Sequence, residues 1–261
     1  MPDSADSVVV ANLARRLADA YSGAPVAPVA GEITDIEQAY RVQLRQIAER
    51  LSAGRRIVGR KIGLTSAAVQ RQLGVGEPDF GHLTDEMLFG DNAVLPHAEL
   101  RQPRVEAEVA LILGADLDFP NPTVADVVAA TRYVAPALEI VASRIADWQI
   151  GILDTVADNA SAGAVVLGGP ARRIDGLDLS NCVMAMAING ETVSEGRGSD
   201  CLGSPLNAAA WLARTSHGLG RPLRAGEVIL TGALGPMRAV APGDAVRATI
   251  AGLGTVSASF R

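Results

Sequence analysis

The last third of the chain limits its fold more than any other part. CVMAMAINGETVSEG carries Asn189-Gly190 between two β-like runs, and this pair suits the tight hairpin turn whose two central residues take positive φ. After a helical stretch at residues 205–217, VILTGALGPMRAVAPGDAVRATIAGLGTVSASF breaks into short strands split by Gly and Pro. Strands and helices along the chain do not alternate as repeated βαβ units. The expectation is therefore α+β, with a mixed or antiparallel sheet core.

Upstream, Val8, Leu13, Leu17 and Tyr21 show helical spacing and predict a helix over residues 7–21, capped by Ser7 and ended by Ser22-Gly23 and Pro25. A second helix is expected over 34–53, opened by Thr34, Asp35 and Glu37, striped by Tyr40, Leu44, Ile47 and Leu51, and stopped at Gly54. From residue 56 the character changes. IVGRKIGLT is β-like and a short helix is expected around 66–73, followed by the turn-rich GVGEPDFGHLTDEM; VALILGADL and VVLGGPARRI read as strands, with a helix at 123–133 after the turn NPT. No repeat, linker or low-complexity segment appears. The division expected is an amino-terminal helical layer over residues 1–55 and one main domain over 56–261.

Composition bounds the function. The 261 residues can bury a substantial core, and with 48% hydrophobic but only 3% aromatic residues that core must be built from Val, Leu, Ile and Ala. A net charge of -6 argues against a nucleic-acid binder and for a small-molecule ligand. Cys182 and Cys201 have neither metal-ligand spacing nor a disulfide framework. The first residues carry Asp3 and Asp6 where a signal peptide would be basic, and no apolar stretch approaches the roughly 20 residues of a membrane span. A reduced cytoplasmic protein, off the membrane, is expected.

The chemistry concentrates in RVEAEVALIL, residues 104–113, which carries Glu106 and Glu108 into an otherwise apolar strand. Strand alternation puts both on one face with Cα atoms about 7 Å apart. A solvated edge strand would also alternate, but Ala110 and Ile112 continue the same face, which is not polar throughout. Two carboxylates so placed need a cation between them. Glu139, isolated in YVAPALEIVASRI, is a third candidate, and together they could make the oxygen-rich site that Mg²⁺ or Mn²⁺ prefers. His82, His97 and His217 are scattered, which argues against zinc. Lys61 is the only lysine among 22 arginines; apolar neighbours Ile57, Val58 and Ile62 could desolvate it and lower its pKa toward acid/base use. No phosphate-binding glycine motif and no GxSxG elbow is present.

Taken together, GRKIGLTSAAVQRQLGVGEPDFGHLTDEM, RVEAEVALIL, PALEIVASRIADW, DTVADNASAGAVVLG, GRGSDCLGSPLNAAAWLA and LTGALGPM resemble the 2-keto-4-pentenoate hydratases of the fumarylacetoacetate hydrolase superfamily, in matching order from about residue 8 to the end. The resemblance implies a mixed β-sheet roll and a divalent metal, Mg²⁺ or Mn²⁺, on Glu106, Glu108 and Glu139. It implies acid/base roles for Lys61 and Asp79, and substrate contacts at Ser161, Thr231 and Gly232. It further implies hydration of a 2-hydroxydienoate in meta-cleavage catabolism of aromatic compounds, by a homo-oligomer that could join a neighbouring pathway enzyme. Two alternatives stand beside it: a 4-oxalocrotonate decarboxylase of the same family, and a non-catalytic structural partner in the pathway complex. The intact Lys61, Glu106, Glu108 and Glu139 count against the second.

Overall fold

The computed structural model describes residues 5–66, 70 and 76–261. Two helices come first, α1 (Ala5–Asp19) and α2 (Ile36–Ser52), close to the expected spans. Asp35 caps α2 by accepting the Gln38 N–H at 2.8 Å, and Gly54 beyond its end takes a φ of +86°, where a side chain would be strained. Val8 and Leu51, at the outer ends of their stripes, are 46% and 38% exposed.

The strands form two sheets. Among the described residues, the larger runs in the order β2 (Asp79–Thr84), β1 (Ile57–Gly63), β10 (Val228–Ala233), β5 (Arg104–Leu113), β6 (Thr131–Val141), β7 (Ala162–Leu167) and β3 (Leu88–Gly90), with β11 (Arg238–Ala239) also on β5. The smaller runs β4 (Ala93–Leu95), β13 (Gly254–Phe260), β12 (Ala245–Ile250), β8 (Val183–Ile188) and β9 (Glu191–Arg197). β1 with β10, β3 with β7 and β4 with β13 are parallel, while β1 with β2, β10 with β5, β5 with β6 and β8 with β9 are antiparallel. Both sheets are therefore mixed, in the expected α+β class. Asn189 and Gly190, at φ +54° and +88°, turn β8 into β9 as their dipeptide required.

Alternation gives each strand face its own surroundings. Val105, Ala107, Val109 and Leu111 of β5, with Leu138 and Ile140 of β6, belong to a core that includes Val246, Ala248, Val256 and Ala258 of the smaller sheet. Leu13 and Leu17 of α1 and Ala39, Tyr40 and Val42 of α2 join that same core, so burial of roughly 1.5–3 kcal/mol per large aliphatic side chain holds the helical layer to the sheets. The opposite face of the larger sheet buries a second cluster, Leu83, Ala110, Ala137, Val165, Val228 and Leu230. Toward the start of β5 that same face carries Glu108 and Glu106.

Three expected segments end differently. The helix expected over 123–133 is the short α3 (Val124–Ala130), because Thr131, Tyr133 and Val134 pair with β5 and open β6 instead. VALILGADL leaves the sheet after Leu113. VVLGGPARRI leaves it after Leu167: Gly168 passes so close to β13 that an added Cβ would lie 2.4 Å from the Thr255 carbonyl oxygen, and Pro170 has no N–H for a ladder. The helix expected around 66–73 lies outside the described residues apart from Ser66 and Gln70. Two further helices, α4 (Ile152–Ala157) and α5 (Pro205–Gly218), complete the description, the second capped by Ser204. No helix among the described residues is long and apolar enough to cross a membrane.

Candidate active site

Antiparallel pairing of β5 with β6 sets Glu106 opposite Glu139 and Glu108 opposite Ala137. Directly opposed residues share a face, so the pairing brings Glu139 beside the two acids that alternation had already aligned. One oxygen from each of the three carboxylates lies within 4.8 Å of the others, and among the described residues this is the group of acidic, histidine or cysteine side chains arranged to hold a metal ion. Glu108 and Glu139 are fully buried, whereas Glu106 is partly exposed and marks the open side.

A bulge in β10 holds Glu108. Its register with β5 slips between Leu230 and Ala233, and within the slip the Gly232 N–H donates to Glu108 Oε2 at 2.7 Å. Gly232 has a φ of +108°, and an added Cβ would lie 2.3 Å from Thr65 Oγ1, so both backbone and space demand glycine. Thr231 borders the same bulge, but its hydroxyl donates to the Val109 carbonyl at 2.9 Å and its own carbonyl accepts from Cys201 Sγ.

Lys61 and Asp79 arrive from the next two strands. β1 pairs with β10 through Lys61 opposite Leu230, and with β2 through Gly63 opposite Asp79, which sets both side chains on the acidic face. Lys61 is 3% exposed and its Nζ lies 3.1 Å from Glu139 Oε1. Asp79 lies across Gly63, where an added Cβ would fall 2.2 Å from Asp79 Oδ1 and 3.4 Å from Lys61 Nζ. The glycine opens the space in which acid and lysine meet.

Electrostatics corrects one expectation. Burial does work to lower the Lys61 pKa, but in the metal-free chain Glu139, Asp79, Glu106 and Glu108 outweigh it and raise the pKa instead. Burial and the neighbouring Glu139 push the Glu106 carboxyl up to about 8, and burial with Glu139 and Glu106 raises Glu108 well above its ordinary value. Asp79 is raised by burial against the pull of Lys61. One ammonium faces four carboxyl groups. Among the described residues, Glu108 Oε1 and Glu139 Oε2 are buried without a hydrogen-bond partner, a cost of several kcal/mol for charged groups. An all-oxygen donor set with unpaired buried oxygens fits a hard divalent cation.

Ser161 sits less simply. It ends a turn in which Asn159, Ala160 and Ser161 all take positive φ, and its hydroxyl is 3.4 Å from Asp158 Oδ2. Asp158 also accepts from the backbone N–H and the guanidinium of the buried Arg144. Thus the fold brings Lys61, Asp79, Glu106, Glu108, Glu139 and Gly232 together, while the hydroxyls of Ser161 and Thr231 are engaged elsewhere.

The fumarylacetoacetate (FAA) hydrolase C-terminal family matches residues 60–261. The chain belongs to the fumarylacetoacetate hydrolase family. Among relatives in this family, it is 56% identical over 241 residues to a 2-keto-4-pentenoate hydratase of Paraburkholderia xenovorans (strain LB400), covering 92% of this chain and 90% of the relative. It is 46% identical over 246 residues to a 2-hydroxyhexa-2,4-dienoate hydratase of Comamonas testosteroni, covering 94% and 93%. The structure of the 4-oxalocrotonate decarboxylase from Pseudomonas putida G7, complexed with magnesium and adipate, superposes with a TM-score of 0.93 at 35% identity, over 99% of both chains.

For this family member, sequence reasoning passed over Thr65, Gln43, Thr155 and Asn159, all of which touch or brace the site. Thr155 lies in the helix and Asn159 in the turn after it, and the available signal was the presence of polar side chains in the buried segment DTVADNAS.

Proposed function

We propose that this chain is a metal-dependent hydratase that adds water to 2-hydroxypenta-2,4-dienoate, giving 4-hydroxy-2-oxopentanoate, in meta-cleavage catabolism of aromatic compounds. The observation that carries the reading is 56% identity across 92% of the chain to a 2-keto-4-pentenoate hydratase. The decarboxylase structure is less similar in sequence, at 35% identity, although its backbone is nearly the same.

Glu106, Glu108 and Glu139 would hold Mg²⁺ or Mn²⁺, and the grouping of their oxygens within 4.8 Å supports this. The ion supplies Lewis-acid stabilisation of negative charge at the substrate's C2 oxygen and offsets the crowded carboxylates. The remaining chemistry takes the proton from the C2 hydroxyl and delivers one to C5, then adds the hydroxide of a water at C4 and a proton at C3, a net addition of one water. Lys61 and Asp79 are the groups assigned to these transfers, because they share the acidic face and Asp79 Oδ1 is buried without a hydrogen-bond partner among the described residues. Gly232 orients Glu108 through its N–H, and substrate contacts are assigned to Thr231, Gly232 and Ser161. The reading carries with it a cytoplasmic location, which the two free cysteines fit, and a homo-oligomer with access to a neighbouring pathway enzyme, which rests on the resemblance to the hydratases alone.

The test is an ultraviolet assay with 2-hydroxypenta-2,4-dienoate, with and without Mg²⁺, followed by product identification. Loss of dienol absorbance with formation of 4-hydroxy-2-oxopentanoate is expected, in the metal-containing arm alone. No reaction, together with carbon dioxide release from 4-oxalocrotonate, would replace the hydratase by the decarboxylase.

A further inference from the structure

Asp79 is held by a residue outside the sheet. Thr155, buried in α4, donates its hydroxyl to Asp79 Oδ2 at 2.9 Å. A threonine hydroxyl has one proton to give, so Oδ2 is committed as an acceptor toward α4. Oδ1 is the oxygen left over Gly63, in the space that Lys61 Nζ also borders.

The contact is braced on both sides. Gln43 of α2 donates from Nε2 to the Phe80 carbonyl at 3.0 Å and to the Val156 carbonyl at 2.9 Å, the residues immediately after Asp79 and Thr155. Asn159 accepts the His82 N–H on Oδ1 at 2.8 Å and donates from Nδ2 to the His82 carbonyl at 2.9 Å, so its amide pairs with the free edge of β2 as another strand would. Gly81 permits the approach, since an added Cβ would lie 2.3 Å from the Asn159 carbonyl oxygen. Asn159, Ala160 and Ser161 hold φ of +52°, +49° and +54°, a strained run costing about 1–2 kcal/mol per residue that these clamps offset. α4 and the turn that follows it are thereby joined to β2 at Phe80 and His82, just beyond Asp79.

We infer that Thr155 is a positioning residue for the proton transfers assigned to Asp79: its hydroxyl selects which carboxyl oxygen faces the substrate. The inference rests on the hydratase reading and on the place given there to Asp79. Steady-state kinetics with 2-hydroxypenta-2,4-dienoate and Mg²⁺ on the full chain compares wild type, Thr155→Val, Thr155→Ser and Asp79→Asn. Thr155→Val is expected to lower kcat roughly 10- to 100-fold, the scale of a misplaced catalytic group, with KM within about twofold of wild type. Thr155→Ser, which keeps the hydroxyl, is expected to restore kcat to within about threefold. Should valine lower the melting temperature sharply, Thr155→Ala is compared with Thr155→Ser by the same criterion. Unchanged kcat in the hydroxyl-free variant, an equal loss in the serine variant, or a loss confined to KM overturns the inference while leaving the hydratase reading in place. Asp79→Asn at wild-type rate removes Asp79 from the chemistry and overturns the inference with it, whereas a wild-type chain without turnover overturns the hydratase reading itself.

Discussion

Gly232 and Glu108 show how single residues set the site. Gly232→Ala must place a Cβ against Thr65 and force φ +108° on an L-residue, and both effects act where the Glu108 carboxylate is anchored. The expected result is a stability loss of about 1–3 kcal/mol in urea melts, with a 10- to 100-fold weaker Mg²⁺ affinity by calorimetry, the usual range for disturbing a group that orients a ligand. Glu108→Gln keeps the shape and an oxygen for the Gly232 N–H but removes the charge. Mg²⁺ affinity should fall by at least about 100-fold while the melting temperature without metal rises, because one of the mutually repelling buried carboxylates is gone. A metal-free melting temperature below that of wild type would contradict the repulsion argument.

At the scale of elements, the site depends on how β2, the edge strand of the larger sheet, is closed. Among the described residues, no further strand pairs with His82 at that edge; the Asn159 side chain does. Asn159→Ala leaves a buried N–H and a buried carbonyl unpaired and frees a strained turn. A loss of about 2 kcal/mol or more is expected from equilibrium unfolding, together with faster hydrogen exchange at the His82 amide. Exchange at His82 as slow as in wild type would show that another group closes the edge. The hairpin and the stop of α2 were legible at this scale because their causes are local: Asn189-Gly190 and Gly54 act within a few residues, whereas Ser7, the expected cap, lies inside α1, and the cap of α2 is Asp35 of the expected opening turn. The boundary at Thr131 was not legible, since it is decided by pairing with Leu113 of β5 and not by the helical pattern that precedes it.

For the whole molecule, the acidic face links stability to metal and to pH. Glu106 titrates near 8 in the folded, metal-free chain against an ordinary 4.5, so the folded state binds protons more tightly than the unfolded one across that window. Its contribution to stability is full below about pH 4.5 and is lost as pH rises through 8. Metal-free protein should therefore melt progressively lower from pH 5 to pH 8, and Mg²⁺ at about 100 times its Kd should add about 2.7 kcal/mol, or roughly 5–10 °C for a chain of this size. A melting temperature indifferent to both pH and Mg²⁺ in differential scanning calorimetry would sink the metal assignment.

By itself, the sequence determined the class of fold, the strand RVEAEVALIL and the alignment of Glu106 with Glu108, because strand alternation is a property of neighbouring residues. It also singled out Glu139 and Lys61 as charges in apolar company. Only the tertiary structure decided that Glu139 stands opposite Glu106 and that the Gly232 N–H meets Glu108. It likewise reversed the expected direction of the Lys61 pKa, because that value depends on four carboxyl groups brought from three other strands. Thr155 and Asn159 were hidden for the same reason: a hydroxyl and an amide acquire a role only from the partner that folding places across from them.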